Sequence, residues 1–263
     1  MEQEFRKVPR YRRLFNKLPK PIKNNIKIIK RRYFKKIKLP KNTYEGGVSK
    51  SVVVLGVPRS GTSLIGKILS KLGVYMSEDE HIRMPGNAQG FFESKYFADM
   101  DDKILAISGG VWNDIPKEEK ILRIKNNPKI NEEIKRIIRS QEKKIWGWKG
   151  TRTCLTADMY HPHLKNPHYI LVYRNLLSTS RSIEKGGKIW GKTNLIESMN
   201  LALTYNKRLL NFLSRINSPV LFISYENLLD KQEQKKEVEK IKKFLNIKRN
   251  ITLGFIDKKL RTC

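Results

Sequence analysis

The sequence predicts an α/β fold in three layers, in which helices cover both faces of a central parallel sheet of four to five strands. Short apolar segments predict the strands, near residues 51–57, 145–149, 168–174 and 219–225. Longer segments with apolar residues on one helical face predict the helices, near residues 61–73, 95–107, 130–143, 175–185, 195–215 and 231–245. Because strands alternate with helices, we expect parallel pairing and a ligand site at the carboxyl ends of the strands.

A loop rich in small residues follows the first predicted strand and leads into the first predicted helix. Its sequence is Gly56-Val57-Pro58-Arg59-Ser60-Gly61-Thr62-Ser63. Gly56 and Gly61 allow the backbone to turn without the steric penalty of a Cβ atom. Successive N–H groups and the positive end of the helix can then point at one anion. The sequence therefore predicts a phosphate-binding loop.

The cation of this loop distinguishes it from the phosphate loop of nucleoside triphosphatases. Gly56 and Gly61 have the Gly-x4-Gly spacing of that loop, but Thr62 stands where those enzymes carry the lysine that reaches the β and γ phosphates. The only cation in the loop is Arg59. The third predicted strand ends in Arg174 and offers no aspartate to a magnesium ion. A metal-free anion site is therefore favoured over a kinase or NTPase site.

The order of strand, Pro-Arg-Ser-Gly-Thr-Ser loop and helix resembles the 5'-phosphosulfate loop of sulfotransferases that use 3'-phosphoadenosine 5'-phosphosulfate (PAPS). This resemblance implies a P-loop-like fold, with PAPS as the co-substrate and no metal ion. It also implies that the loop binds the 5' end of PAPS through Arg59, Ser60, Gly61, Thr62 and Ser63.

A second segment resembles the 3'-phosphate motif of the same family, in which a strand ends in arginine and a serine follows eight residues later. Here these residues are Arg174 and Ser182. Arg174 would leave the carboxyl end of the strand while Ser182 lies about two turns into the next helix, so that both approach one phosphate. The planar guanidinium can donate two parallel hydrogen bonds to it. At the end of the fourth predicted strand, Tyr225 matches the tyrosine that the family places near the nucleotide.

Two more segments resemble motifs of bacterial sulfotransferases. Residues 87–93, Asn-Ala-Gln-Gly-Phe-Phe-Glu, resemble an Asn-x-x-Gly-aromatic-aromatic-Glu box, and residues 146–154 resemble a Trp-Gly-x-Lys-Asp-Pro-Arg-Thr-Cys box. The second box retains Lys149 and Arg152, but Gly150-Thr151 replaces Asp-Pro. Together the matching segments extend over residues 51–229 in the order of the family.

These matches imply sulfuryl transfer to a hydroxyl group, with Arg59, Lys149 and Glu93 as the catalytic residues. Sulfuryl transfer resembles phosphoryl transfer, in which positioning and electrostatic stabilisation dominate. Arg59 and the loop amides would hold the 5'-phosphate, and Lys149 would bind the leaving oxygen or the sulfuryl oxygens. Glu93 follows two phenylalanines, and a partly apolar pocket would raise its pKa and make it a general base.

The base has alternatives in the same acceptor-side loop, because the folding of residues 77–93 cannot be read from the sequence. Glu78, Glu80 and His81 all precede Glu93 there, and each is a candidate. Three other histidines and one cysteine lack the spacing of a metal site: His161, His163, His168 and Cys154.

The chain carries a net charge of +30, which favours a polyanionic nucleotide, an acidic acceptor or an anionic membrane as partner. Positive charge is dense over residues 6–41, ahead of Gly46-Gly47. We therefore expect a basic extension over residues 1–46 and one sulfotransferase domain over residues 47–263. A helix that begins at Pro21 would carry an apolar stripe, which either contacts an anionic membrane or packs on the domain. The stripe consists of Ile22, Ile26, Ile29, Tyr33 and Ile37.

The sequence also bears on the location of the protein and on its acceptor. It has no apolar run of the ~20 residues that span a bilayer and no apolar signal region, and Cys154 and Cys263 make no disulfide framework. We expect a cytoplasmic protein, peripheral to the inner face of the membrane where the extension binds it. The expected acceptor is a carbohydrate or glycan precursor, with no nucleic-acid partner. Two alternatives stay open: a P-loop kinase or NTPase, and a non-catalytic basic protein that binds membranes or nucleic acid.

Overall fold

The computed structural model describes residues 39–42, 44, 46–76, 93–190 and 194–256. Outside these residues lie the stripe expected over residues 22–37, the candidate bases Glu78, Glu80 and His81, and the first six residues of the box at 87–93. The chain divides into two compact units, and the described residues all belong to the unit from Leu39 to Cys263.

Four parallel strands form the sheet in the described part of the chain, which confirms the predicted fold class. They are β1 (Lys50–Leu55), β2 (Ile145–Lys149), β3 (Pro167–Tyr173) and β4 (Val220–Ser224), in the spatial order β2-β1-β3-β4. Valines dominate β1, and the five residues that follow Lys50 are all buried. A β-branched strand buried on both faces suits the centre of a parallel sheet.

Nine α-helices connect and flank these strands within the described residues: α1 (Thr62–Lys71), α2 (Lys95–Ile107), α3 (Glu118–Arg123), α4 (Pro128–Gln141), α5 (Thr153–Tyr160), α6 (Leu176–Trp190), α7 (Leu195–Leu213), α8 (Tyr225–Leu229) and α9 (Gln234–Leu245). Local sequence explains where several of them begin. Asn127 caps α4 by accepting hydrogen bonds from the N–H groups of Lys129 and Ile130, and Pro128 occupies the first turn. Asn194 caps α7 in the same way through the N–H of Glu197.

The helices differ from the predicted ones in two respects. The short helices α3, α5 and α8 were not predicted, because five to eight residues contain too little of the helical period to be recognised. Helix α6 continues to Trp190 instead of ending near residue 185. It runs through Gly186 and Gly187, which disfavour helix by about 1 kcal/mol each, while it packs along α7.

Alternate residues of β1 face opposite sides of the sheet and separate two cores. Val53 and Leu55 pack with residues of α2, α4, α5, α6 and α7. Val52 and Val54 pack with residues of α1, α8 and α9. Because the side-chain period of a strand is two, this distribution confirms the predicted arrangement of three layers.

The carboxyl ends of the four strands lead into the segments that the sequence marked as functional. The loop at residues 56–61 follows β1, residues 150–152 follow β2, Arg174 follows β3 and Tyr225 follows β4. In addition, the backbone of Glu93 forms an isolated parallel bridge with Lys149. None of the helices in the described ranges is both long and apolar enough to cross a bilayer.

Candidate active site

The loop between β1 and α1 turns tightly, as the sequence predicts. Arg59 and Gly61 both adopt left-handed backbone conformations, with φ of 71° and 97°. The Ser60 N–H donates to the Val57 carbonyl oxygen over 3.0 Å. A Cβ atom on Gly61 would lie 2.1 Å from Cδ2 of Tyr225. Glycine is therefore required where the tyrosine ring packs against the start of α1.

The first turn of α1 has the properties of an anion site. Gly61 precedes the helix and can make no side-chain capping bond, so the N–H groups of the first turn and the positive end of the helix dipole face the loop. Next to them the Ser60 hydroxyl is buried and has no hydrogen-bond partner among the described residues. Thr62 is buried and Ser63 is half-buried in the same turn. A buried hydroxyl without a partner is costly unless a ligand or water satisfies it.

Arg59 joins the two predicted phosphate motifs. Its Nε–H donates to Ser182 Oγ of α6 over 3.1 Å. The Arg174 guanidinium donates to the Arg59 carbonyl oxygen over 3.0 Å and lies 4.8 Å from the centre of the Tyr225 ring. Four residues that the sequence placed at the nucleotide, from the loop, the end of β3, α6 and the end of β4, are thus brought together.

Lys149 and Glu93 form a second cluster at the end of β2. Lys149 Nζ donates to Glu93 Oε1 over 2.7 Å, and the lysine side chain is only 2% exposed. Arg152 lies 3.4 Å from the other Glu93 oxygen. Arg152 Nε is in turn 2.8 Å from Asp102 Oδ1 on α2. Two cations and two carboxylates therefore alternate along one side of the site.

The expected pKa of Glu93 is wrong in direction. Burial would raise the pKa of this carboxyl group, but the positive charges of Lys149 and Arg152 and the hydrogen bonds to Glu93 hold it below the ordinary value. The expectation took account of the two preceding phenylalanines. The expectation did not include Lys149 and Arg152, whose proximity to the carboxylate follows from the backbone bridge between Glu93 and the end of β2.

Residues 51–250 match the sequence model of the sulfotransferase family, over a range that includes nearly all of the sheet and every predicted site residue. The chain belongs to the sulfotransferase family. The fold of this sulfotransferase resembles that of the sulfotransferase domain of the Synechococcus PCC 7002 olefin synthase, with a TM-score of 0.50 and 16% identity over 82% of this chain and 80% of that one. It also resembles a sulfotransferase from Mycobacterium avium, with a TM-score of 0.50 and 13% identity over 82% of this chain and 68% of that one. At these identities the likeness shows the P-loop-like fold alone. No curated protein sequence matches the sulfotransferase.

Beneath the cations, the sulfotransferase buries an aspartate that sequence reasoning missed. Asp101 of α2 is fully buried and accepts hydrogen bonds from Thr153 Oγ1 at 2.7 Å, Thr156 Oγ1 at 2.6 Å and the Tyr160 hydroxyl at 2.8 Å. Burial raises the pKa of Asp101 to about 7, although the three hydroxyl donors act in the opposite direction. The spacing of Phe97, Asp101 and buried residues one turn later could have indicated that this carboxyl group faces the core.

Gly150, which departs from the aspartate of the family's box, lies beside this network. A Cβ atom on Gly150 would lie 2.2 Å from Thr153 Oγ1. That hydroxyl donates to Asp101 and accepts a hydrogen bond from Trp148 Nε1 over 3.2 Å. The glycine therefore makes room for Thr153, whose hydroxyl links Trp148 of β2 to Asp101 of α2.

Two of the histidines that the structure describes in this sulfotransferase make local hydrogen bonds. His161 Nδ1 lies 2.7 Å from the Tyr169 hydroxyl, and His168 Nδ1 lies 3.1 Å from the Asn166 carbonyl oxygen. Across the described ranges, no group of three or more histidine, cysteine, aspartate or glutamate side chains could hold a metal ion.

Proposed function

We propose that this sulfotransferase moves the sulfuryl group of PAPS to a hydroxyl group of its acceptor. The observation that carries the proposal is the contact between Arg59 and Ser182, which lie 123 residues apart in the sequence. It unites a segment that resembles a 5'-phosphosulfate loop with one that resembles a 3'-phosphate motif. A nucleotide that carries phosphate on both the 5' and the 3' oxygen of its ribose fits such a pair of motifs.

The loop would hold the 5' end of the donor. The first N–H groups of α1 supply hydrogen-bond donors and the positive end of a helix dipole. The buried Ser60 hydroxyl, which has no partner in the described structure, supplies a further donor. Together with Gly61, Thr62 and Ser63, these groups suit a phosphate oxygen that gains charge as the sulfuryl group leaves.

Arg174 and Ser182 would hold the 3'-phosphate. Arg174 is fixed by its bond to the Arg59 carbonyl oxygen and by the Tyr225 ring, so little of its side-chain entropy is lost on binding. Ser182 is buried and already accepts a hydrogen bond from Arg59. When PAPS binds, Arg59 would turn away from Ser182 and toward the 5'-phosphate. There its guanidinium would stabilise the negative charge that develops on the phosphate oxygen.

In the transfer step, the acceptor oxygen would bond to sulfur while the bond between sulfur and the 5'-phosphate oxygen breaks. Lys149 and Arg59 would stabilise the charge on the leaving oxygen, and Glu93 would accept the hydroxyl proton. The ion pair with Lys149 keeps Glu93 ionised and so able to take a proton. It also makes Glu93 a weaker base than an isolated buried carboxylate, because proton uptake opposes two nearby cations.

A carbohydrate or glycan precursor is the acceptor that we propose, and the net charge of +30 favours an acidic one. We also propose a cytoplasmic location, with residues 6–41 in contact with an anionic membrane surface. Deletion of residues 1–38, which ends before the compact unit that begins at Leu39, should then leave sulfuryl transfer intact and reduce binding to anionic liposomes. Undiminished liposome binding would remove the membrane role.

Calorimetry with 3'-phosphoadenosine 5'-phosphate and with ADP, each with and without magnesium, tests the donor. We expect binding of the 3'-phosphorylated ligand that does not depend on magnesium and exceeds ADP binding by roughly tenfold or more, as one charge-assisted hydrogen bond would give. Equal binding of ADP, or binding only with magnesium, would overturn the proposal in favour of a kinase or NTPase.

A further inference from the structure

A single side chain satisfies both polar backbone groups of Gly56, the first residue of the phosphate loop. The Gly56 N–H donates to Cys154 Sγ over 3.2 Å, and the Cys154 thiol donates to the Gly56 carbonyl oxygen over 3.3 Å. The two residues lie 98 positions apart in the sequence. Cys154 is 2% exposed, so water does not reach this pair of bonds.

Gly56 is closely packed on the side of the loop. A Cβ atom there would lie 2.6 Å from Ser60 Oγ, 2.7 Å from Thr62 Cγ2 and 2.8 Å from the Val172 carbonyl oxygen. The position of Gly56 therefore constrains the hydroxyl and the helix start that form the anion site. A shift of Gly56 toward the loop would push directly on Ser60 and Thr62.

Backbone hydrogen bonds also attach Cys154 to the turn that follows β2 and carries Arg152. It is the second residue of α5, and its N–H donates to the Thr151 carbonyl oxygen over 3.2 Å. The next residue, Leu155, donates its N–H to the Arg152 carbonyl oxygen over 2.9 Å. The thiol thus connects the turn that carries Arg152 to the start of the loop after β1.

We propose that Cys154 is a positioning residue, which holds the loop after β1 in register with Lys149 at the end of β2 and with the following turn, which carries Arg152. Its effect on catalysis rests on the proposed function: the loop holds the phosphate end of the donor and Lys149 faces the group that is transferred. Cys154 itself touches neither the donor nor the acceptor. It acts through the backbone of Gly56.

The chemistry of the thiol suits this role. Burial raises the pKa of Cys154 to about 12, so the thiol stays protonated and can donate to a carbonyl oxygen. Sulfur is also large enough to reach both backbone groups of Gly56 at once. Alanine would leave a buried N–H and a buried carbonyl without a partner, whereas serine keeps a donor and an acceptor.

Three variants test the proposal: Cys154→Ala, Cys154→Ser and the control Leu155→Ala, which truncates a buried neighbour on α5 and leaves the contacts of Gly56 intact. Amide hydrogen exchange in a peptide over residues 55–63 reports on the loop and requires no ligand. We expect Cys154→Ala to accelerate this exchange roughly tenfold and to weaken binding of 3'-phosphoadenosine 5'-phosphate by a similar factor. Cys154→Ser should restore both, and Leu155→Ala should lower the melting temperature without either change.

Unchanged exchange in Cys154→Ala, or the same acceleration in Leu155→Ala, would overturn the positioning role. If Cys154→Ala does not fold, Cys154→Val takes its place, because valine fills the space of the thiol without a hydrogen-bond donor or acceptor. Faster exchange in Cys154→Val than in Cys154→Ser would support the role, and equal protection in the two variants would overturn it. Failure of the proposed function looks different. In that case the wild-type protein does not bind the nucleotide, while the exchange of residues 55–63 still responds to position 154.

Discussion

Glu93 and Lys149 form an ion pair of 2.7 Å even though 56 residues separate them in the sequence. Their backbones are also neighbours, because Glu93 bridges the end of β2. Backbone pairing with β2 and electrostatic attraction therefore both hold the Glu93 carboxylate beside Lys149. This relationship decides what kind of base Glu93 can be.

The pH dependence of turnover follows from that ion pair. Lys149 and Arg152 hold the pKa of Glu93 below its ordinary value, so Glu93 should remain ionised throughout the range from pH 5 to pH 8. We expect any acid limb in kcat/KM that is due to Glu93 to lie below pH 4.5, the ordinary pKa of the group. Glu93→Gln should keep nucleotide binding and lose turnover by a factor of about 100 or more.

The exposed Glu239→Gln on α9 is the matched control for this substitution and should behave as wild type. An acid limb near pH 6 that disappears in Glu93→Gln would contradict the lowered pKa. Unchanged turnover in Glu93→Gln would transfer the role of base to Glu78, Glu80 or His81.

Arg174 should determine the preference for the 3'-phosphate. Arg174→Ala removes a guanidinium that can make charge-assisted hydrogen bonds, so we expect binding of 3'-phosphoadenosine 5'-phosphate to weaken by about 10- to 100-fold. Binding of adenosine 5'-phosphate, which lacks the 3'-phosphate, should change far less. Calorimetry with both ligands measures the difference. As a control, Arg181→Ala on α6 removes the same charge from an exposed position and should preserve the discrimination between the two ligands. If the two variants have equal effects, Arg174 contributes only nonspecific electrostatic attraction.

Asp101 should make stability depend on pH. Its pKa is about 7 in the folded protein and 3.8 ordinarily, so the folded state binds more protons between these values. Stability from this group is complete below pH 3.8 and is lost as the pH rises toward 7, by up to about 1.4 kcal/mol per pH unit. Urea unfolding from pH 5 to pH 8 should show wild type losing stability relative to Asp101→Asn. Because other titrating groups cancel in this difference, parallel curves for the two proteins would exclude the raised pKa.

Gly61 should resist substitution far more than a glycine in open space. Gly61→Ala places a Cβ atom 2.1 Å from the Tyr225 ring at a φ of 97°, so we expect a loss of about 2 kcal/mol or more in the free energy of unfolding. Gly254→Ala adds the same methyl group where nothing lies within 4 Å, and should change stability by less than about 0.5 kcal/mol. Chemical denaturation compares the two. Similar losses would mean that the Tyr225 contact does not constrain the loop.

Much of this fold could be predicted from the sequence because its strands are short, apolar and separated by amphipathic helices. Strand β2 occupies the predicted residues 145–149, and α2 occupies the predicted residues 95–107. The loop from Gly56 was recognisable from its glycine spacing, and the segment from Arg174 to Ser182 from its resemblance to a motif of the family. Parallel pairing then brought them together, because carboxyl ends of parallel strands meet at one edge.

The rest of the site depends on contacts between segments that no local pattern encodes. The pairing of Asp102 with Arg152 joins α2 to the turn after β2, and neither residue has a periodic signal that names its partner. The pKa of Glu93 was predicted in the wrong direction for the same reason. The two phenylalanines directly precede Glu93 in the sequence. The proximity of Lys149 and Arg152 to Glu93 arises only in the folded chain, where Glu93 forms a backbone bridge with Lys149.

The buried position of Cys154 also provides a kinetic probe that requires no introduced cysteine. A thiol reagent can reach this side chain only after α5 and the loop separate, because the cysteine is 2% exposed. In a Cys263→Ser background, the rate of thiol labelling would therefore measure how often this part of the native molecule opens. Local opening of the loop at residues 56–61 could then be followed separately from global unfolding, with and without nucleotide.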